Sequence, residues 1–267
     1  MRDLVDYKLV LLDAFGVLYN ANGILPGVAK RIQELRAKNI AISVITNNTS
    51  LNPISISRHL ASLDIPISHD AILSSGHGLA KDLAFRSLIQ NKAVFVLGSG
   101  DSQWYITHAG GHCVGTLAES EAIVLAMSTP HRRIYDDILH YHRAHPDVPI
   151  ICINPDKRVQ TGSKQDPVIG QFATALEGRL SKPIQWMGKP YPAFSAVVAA
   201  HCHTCYPNIN RSDWVFVDDN PDNVVQISQD LGIDGRIPYT GLASTWPQPI
   251  PVSDRIQRLP EWGQYVL

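Results

Sequence analysis

The chain has 267 residues, 45% of them apolar and 18% charged, with a formal net charge of -1. This length suits two domains and this composition a soluble globular protein, while the near-neutral balance lacks the basic field that would hold nucleic acid. No apolar run approaches the ~20 residues of a membrane span, and Asp3 and Asp6 break the N-terminal run, so it does not read as a signal peptide. Four cysteines, Cys113, Cys152, Cys202 and Cys205, are too few to staple such a chain and point to a reducing cytoplasm.

Leu9 to Leu12 is an apolar run of strand length, read as a buried parallel strand. It ends in Asp13, a candidate carboxylate nucleophile or metal ligand, with a helix N-cap or turn aspartate as the alternative. Gly16 lets the backbone turn tightly beside it. Pro26 suits the first position of a helix over 26–38, in which Val28, Ile32 and Leu35 recur at helical spacing. A second strand, Ile40 to Ile45, ends at Thr46-Asn-Asn-Thr-Ser50, ahead of a helix from about Pro53 to Leu63. Hydroxyl and amide groups there make either an anion site or a plain capping loop.

From Ala71 to Ser74 a further strand is expected, and then the pattern restarts. Helices near 78–89, 102–108 and 131–144 alternate with strands at Val94–Leu97, Ala122–Ala126 and Ile150–Ile153, enough for a second α/β layer inserted into the first. The Gly98-Ser-Gly100 turn is assigned no function. At Met187-Gly-Lys-Pro190 a lysine is held between Gly and Pro, just ahead of a helix carrying Phe194, Val197 and Val198. Trp214 to Val217 reads as a strand ending in Asp218-Asp219-Asn220-Pro-Asp-Asn223. Adjacent carboxylates repel unless a cation sits between them, and oxygen ligands of this kind suit Mg²⁺. His201-Cys-His-Thr-Cys205 has no matching ligand pair at zinc-finger spacing and reads as a helix end with small buried thiols.

In order, Asp13-Ala-Phe-Gly-Val-Leu18, Thr46-Asn-Asn-Thr-Ser50, Gly188-Lys-Pro190 and Val217-Asp-Asp219 resemble the four motifs of the haloacid dehalogenase superfamily. The Thr-Asn-Asn phrase and the long insert between the second and third motifs resemble class IIA, the nitrophenylphosphatase-like and sugar-phosphatase-like hydrolases. Asn154-Pro-Asp156 and Tyr239-Thr-Gly241 also fit that pattern. The resemblance implies a Rossmann-like core at 1–77 and 182–267 and an α/β cap at 78–181. It implies a phosphatase that forms an aspartyl-phosphate on Asp13, with Thr46 and the Asn47 main chain holding phosphoryl oxygens and Lys189 neutralising charge. Mg²⁺ would sit between Asp13, the carbonyl of Phe15 and Asp219, with Asp218 in the usual glycine position. A small phosphorylated metabolite is the implied partner, and a cap-mediated homodimer the implied assembly.

Two positions depart from the family pattern. Phe15 stands where the family has its general acid–base aspartate, so weak turnover is expected, since such help typically contributes ~10²–10⁴ in rate. Val224 stands at the second acid of the last motif, with Asn223 beside it. Two other functions compete with a phosphatase. One is a haloacid dehalogenase-like hydrolase, whose halide leaves without a proton. The other is a protein that binds phosphorylated metabolites without turning them over.

Overall fold

The computed structural model describes residues 2–126, 132–161, 164–247 and 249–262. Leu9–Leu12 is a strand buried at all four residues, as expected of a strand covered on both faces. It stands inside a six-stranded sheet in the order Ile256–Leu259, Asp234–Pro238, Trp214–Val217, Leu9–Leu12, Ala41–Thr46, Ile72–Ser74, every neighbouring pair parallel. Successive strand side chains point to opposite faces. Leu9 and Leu11 therefore pack with Phe194, Val197 and Val198 of the helix Pro192–Cys205. Val10 and Leu12 pack with residues of the helices Val28–Ala37 and Pro53–Ser62 on the other side.

Register decides what meets at the carboxyl end. Leu12 is level with Val217 on one side and Val44 on the other. Asp13, Asp218 and the Ile45–Thr46 step therefore emerge side by side.

A second, five-stranded parallel sheet is inserted between Ile72–Ser74 and Trp214–Val217. Its order is Gln185–Trp186, Ile150–Cys152, Ala122–Leu125, Ala93–Leu97, His112–Val114. The α/β class and the inserted second layer expected from the sequence are thus both present. The last strand of this sheet, Gln185–Trp186, lies past residue 182, where the sequence reading returns to the core. Val94, Val124 and Ile151 share an apolar cluster with Leu9 and Phe216, so one continuous core joins the two sheets. An antiparallel hairpin, Arg158–Thr161 with Lys164–Pro167, follows the Ile150–Cys152 strand.

Three local expectations change. Pro26 precedes the first helix rather than opening it, because Gly27 takes a left-handed conformation at φ 75° and the helix starts at Val28. The helix expected over 78–89 is two, Gly78–Lys81 and Leu83–Ile89. Asp82 separates them, since its carboxylate caps the second by accepting the N–H groups of Ala84 and Phe85. At the helix end Cys202 is buried but Cys205 is exposed, so one thiol is covered rather than both.

Candidate active site

Asp13, Asp218 and Asp219 each present a carboxylate oxygen within 4.8 Å of the others, and all three are buried. Among the described residues this is the one cluster of potential metal ligands, so the His201–Cys205 segment gathers none. Lys189 reaches into the cluster with its side chain only 1% exposed. Its Nζ donates to Asp13 Oδ1 at 2.7 Å, Asp218 Oδ2 at 2.6 Å and the Ile45 carbonyl at 2.9 Å. All three donor positions of the ammonium are thereby used. Burial alone would lower the Lys189 pKa, but the charges of Asp13, Asp218 and Asp156 raise it overall, and it stays an ammonium.

The charge is unbalanced. One lysine faces three carboxylates, and burial together with the neighbouring acids raises Asp219 well above the usual carboxylate range. Burial likewise lifts Asp13 to about 7 despite Lys189. Hard oxygen donors in excess of the local cation are the donor set of a divalent metal, and these residues fit one. The backbone around Asp219 is shaped for its carboxylate. Gly16, at φ 90°, and Gly241, at φ 46°, lie so close that a Cβ on either would fall within 2.5 Å of an Asp219 oxygen. The Asp219 Oδ2 also accepts the Leu242 N–H, and Thr240 Oγ1 donates to the Gly16 carbonyl at 2.6 Å. The Tyr239-Thr-Gly241 phrase thus braces both the turn after Asp13 and Asp219.

Thr46 is buried and its Oγ1 accepts the Asn48 N–H at 3.1 Å. The Asn47 side chain performs a task that the sequence did not disclose. Its Oδ1 accepts the Lys189 N–H, and its Nδ2 donates to the Lys189 carbonyl and to Asp156 Oδ1, each at 2.9 Å. This two-way clasp holds the lysine-bearing loop against the strand end. Gly188, at φ 133°, makes room for it, because a Cβ there would meet Pro155 Cδ at 2.5 Å and Asn47 Oδ1 at 2.8 Å. Asn223 Nδ2 donates to Asp218 Oδ2 at 3.2 Å, while its Oδ1, also buried, has no hydrogen-bond partner among the described residues. Val224 is buried and apolar.

Above these groups lies a cavity of about 260 Å³. Asp13, Phe15 and Thr46 line it from the six-stranded sheet, and Asp156, Arg158 and Val159 from the loop and hairpin of the other sheet. Phe15 meets Tyr19 edge-on at 5.6 Å. The site therefore combines a lysine-paired carboxylate, further acids suited to a cation, and a pocket lined from both sheets.

A family model described as haloacid dehalogenase-like hydrolase matches residues 10–112, the stretch that holds Asp13 and Thr46. Over that stretch the chain is similar to haloacid dehalogenase-like hydrolases. The matched description is that of a hydrolase, and the chain is an enzyme of that kind. It is 27% identical over 237 residues to the human haloacid dehalogenase-like hydrolase domain-containing protein 2, covering 88% of this chain and 85% of that protein. It is 24% identical over 247 residues to a dihydroxyacetone phosphatase of Corynebacterium glutamicum, covering 87% and 81%. The solved structure of a "possible sugar phosphatase" from Cytophaga hutchinsonii superposes with a TM-score of 0.80 at 24% identity, covering 97% of this chain and 95% of that one. Among the described residues, no helix is long and apolar enough to cross a membrane.

Proposed function

We propose that the chain is a Mg²⁺-dependent phosphohydrolase acting on a small phosphorylated metabolite. The observation that carries this reading is the contact of Lys189 Nζ with both Asp13 and Asp218 inside a buried three-carboxylate cluster. Asp13 is the nucleophile and forms an aspartyl-phosphate, its lysine partner spreading the negative charge that accumulates as the phosphoryl group arrives. Thr46 and the Asn47 main chain hold phosphoryl oxygens at the strand end. Asp13, the Phe15 carbonyl, Asp219 and Asp218 are the residues that would hold Mg²⁺. When bound, the ion supplies positive charge to the transferring group. Relatives named as phosphatases and the modest cavity volume support the substrate class. The second sheet acts as a cap whose loop and hairpin close the pocket over the substrate. Incubating the purified protein with Mg²⁺ and a broad panel of phosphorylated metabolites should release inorganic phosphate from at least one. Release from none would end this reading.

A further inference from the structure

Most of the ionisable groups around the cavity are committed. Asp13 and Asp218 are held by Lys189, Asp219 accepts the Leu242 N–H, and Phe15 has no proton to give. Asp156 differs. It follows the strand Ile150–Cys152, lines the same cavity as Asp13, and among the described residues accepts one side-chain hydrogen bond, on Oδ1 from Asn47. The direction of that bond is fixed. The Asn47 Oδ1 accepts a main-chain N–H, that of Lys189, and a main-chain N–H can only donate. The Asn47 amide therefore cannot be turned round and must present its NH₂ group to Asp156. An N–H on Oδ1 leaves Oδ2 as the oxygen that can carry a proton.

The charged and titratable groups facing Asp156 are Lys189, Asp218, Asp13 and the Cys152 thiol. Burial raises its carboxyl to about 6, against the pull of Lys189 and the Asn47 hydrogen bond and with the push of Asp218. A group that titrates there exchanges protons readily near neutral pH.

We propose that Asp156, reaching in from the second sheet, is the general acid and base of the reaction, a catalytic residue that supplies the proton position 15 cannot. This rests on the phosphohydrolase reading. In the first step an Asp13 oxygen forms a bond to phosphorus and the bond from phosphorus to the leaving oxygen breaks. The electron pair goes to that oxygen, which takes the proton from Asp156 and departs as an alcohol. In the second step the Asp156 carboxylate takes a proton from water as the water oxygen attacks phosphorus. The bond to Asp13 breaks, inorganic phosphate forms, and Asp156 is protonated again. The weak turnover expected from Phe15 alone is thereby relieved.

The test compares leaving groups with the full-length protein and Mg²⁺, using glycerol 3-phosphate and 4-nitrophenyl phosphate. The kcat/KM is the readout, because it reports only steps up to formation of the phosphoenzyme. Asp156→Asn keeps an oxygen for the Asn47 NH₂ group and loses the proton. It should lower kcat/KM for the alkyl ester by ~10²–10⁴ and for the nitrophenyl ester by less than about tenfold, since nitrophenolate leaves unaided. Equal losses on both esters, or no loss on either, would overturn the assignment and leave Asp156 as a positioning residue for Asn47. A second measurement needs no variant. Across a series of phosphate esters, the wild-type kcat/KM should depend only weakly on leaving-group basicity, and a steep dependence would overturn the proposal. Absence of wild-type turnover on every ester would instead fail the phosphohydrolase reading on which it stands.

Discussion

In the six-stranded sheet, the strands at 9–12, 41–46 and 214–217 run into Asp13, Thr46 and Asp218. In the five-stranded sheet the residues that follow strands 93–97, 122–125 and 150–152 are Gly98, Ala126 and Ile153. Both sheets are parallel, and both carry buried apolar strands. The second sheet puts its polar groups a little further on and spends them on the first. Ser102 Oγ donates to the Thr49 carbonyl and Tyr105 Oη to the Leu51 carbonyl, each at 2.7 Å. Asp101 accepts the Asn52 N–H at 3.1 Å and Asp156 the Asn47 amide at 2.9 Å. A parallel sheet thus offers a place for chemistry, and the side chains just past each strand decide whether that place reacts, supports or, as proposed for Asp156, does both.

The comparison is broken most completely at Asp13. Asp13→Asn keeps the shape and removes the nucleophile, so phosphate release should fall on the order of 10⁴-fold or more with the thermal unfolding curve preserved. Turnover within tenfold of wild type would show that the strand end does not react there. Lys189→Met should come next, because it leaves buried carboxylates without their cation. A loss on the order of 3–5 kcal/mol is expected in denaturant unfolding. A loss below about 1 kcal/mol would mean that the acids are already neutral.

Metal and pH sharpen the contrast further. Mg²⁺ should raise the unfolding midpoint, by about 2.7 kcal/mol of stability at a hundredfold excess over Kd, and EDTA should reverse it. Without metal, Asp13 at about 7 and Asp156 at about 6 both lie above the ordinary aspartate range. The folded state then binds more protons than the unfolded one, so stability should rise as pH falls from about 8 to 6. Saturating Mg²⁺ should flatten that slope by favouring ionised ligands, and Asp13→Asn should remove part of it. A metal-free midpoint that falls over this range would contradict the charge imbalance.

The smallest test sets one glycine of each region against the other. At Gly188 an added Cβ meets Pro155 and Asn47, and the backbone is at φ 133°, whereas at Gly100 nothing lies within 4 Å. Gly188→Ala should cost about 1–3 kcal/mol and Gly100→Ala within about 0.5 kcal/mol, both read from chemical unfolding. Equal costs would show that the clasp around Lys189 is not tightly packed.

The reactive half of the molecule was legible because its signals are strong. Three apolar runs end in residues that have little reason to be buried unless they act, a lysine is pinned between Gly and Pro, and Asp13, Thr46, Lys189 and Asp218–Asp219 do converge. The supporting half was harder to read. His112–Val114 and Gln185–Trp186 are too short to show a period, and Arg158–Thr161 and Lys164–Pro167 are too polar to look like strands. Asp156 stood out only as part of an Asn-Pro-Asp phrase. Its position depends on the Asn47 clasp, a contact across 109 residues of chain that no local pattern encodes. The Asn47 side chain was overlooked for the same reason, since a capping loop and a clasp use the same residue types.

The strand order also fixes a sequence of events during synthesis. Leu9–Leu12 is made first, yet it pairs with Trp214–Val217 as well as with Ala41–Thr46. The second sheet lies wholly between these partners, so it can close upon itself while the first is still half built. Contacts so distant along the chain are slow to form, and domains assemble in the order in which they leave the ribosome. Until Trp214–Val217 is made, one edge of Leu9–Leu12 has no neighbour, and an open apolar edge invites pairing with other chains. Asp13, made long before its companions, acquires them only when Asp218 and Asp219 emerge. A nascent chain that stalls before residue 214 would present its most apolar strand unpaired and have no site at all.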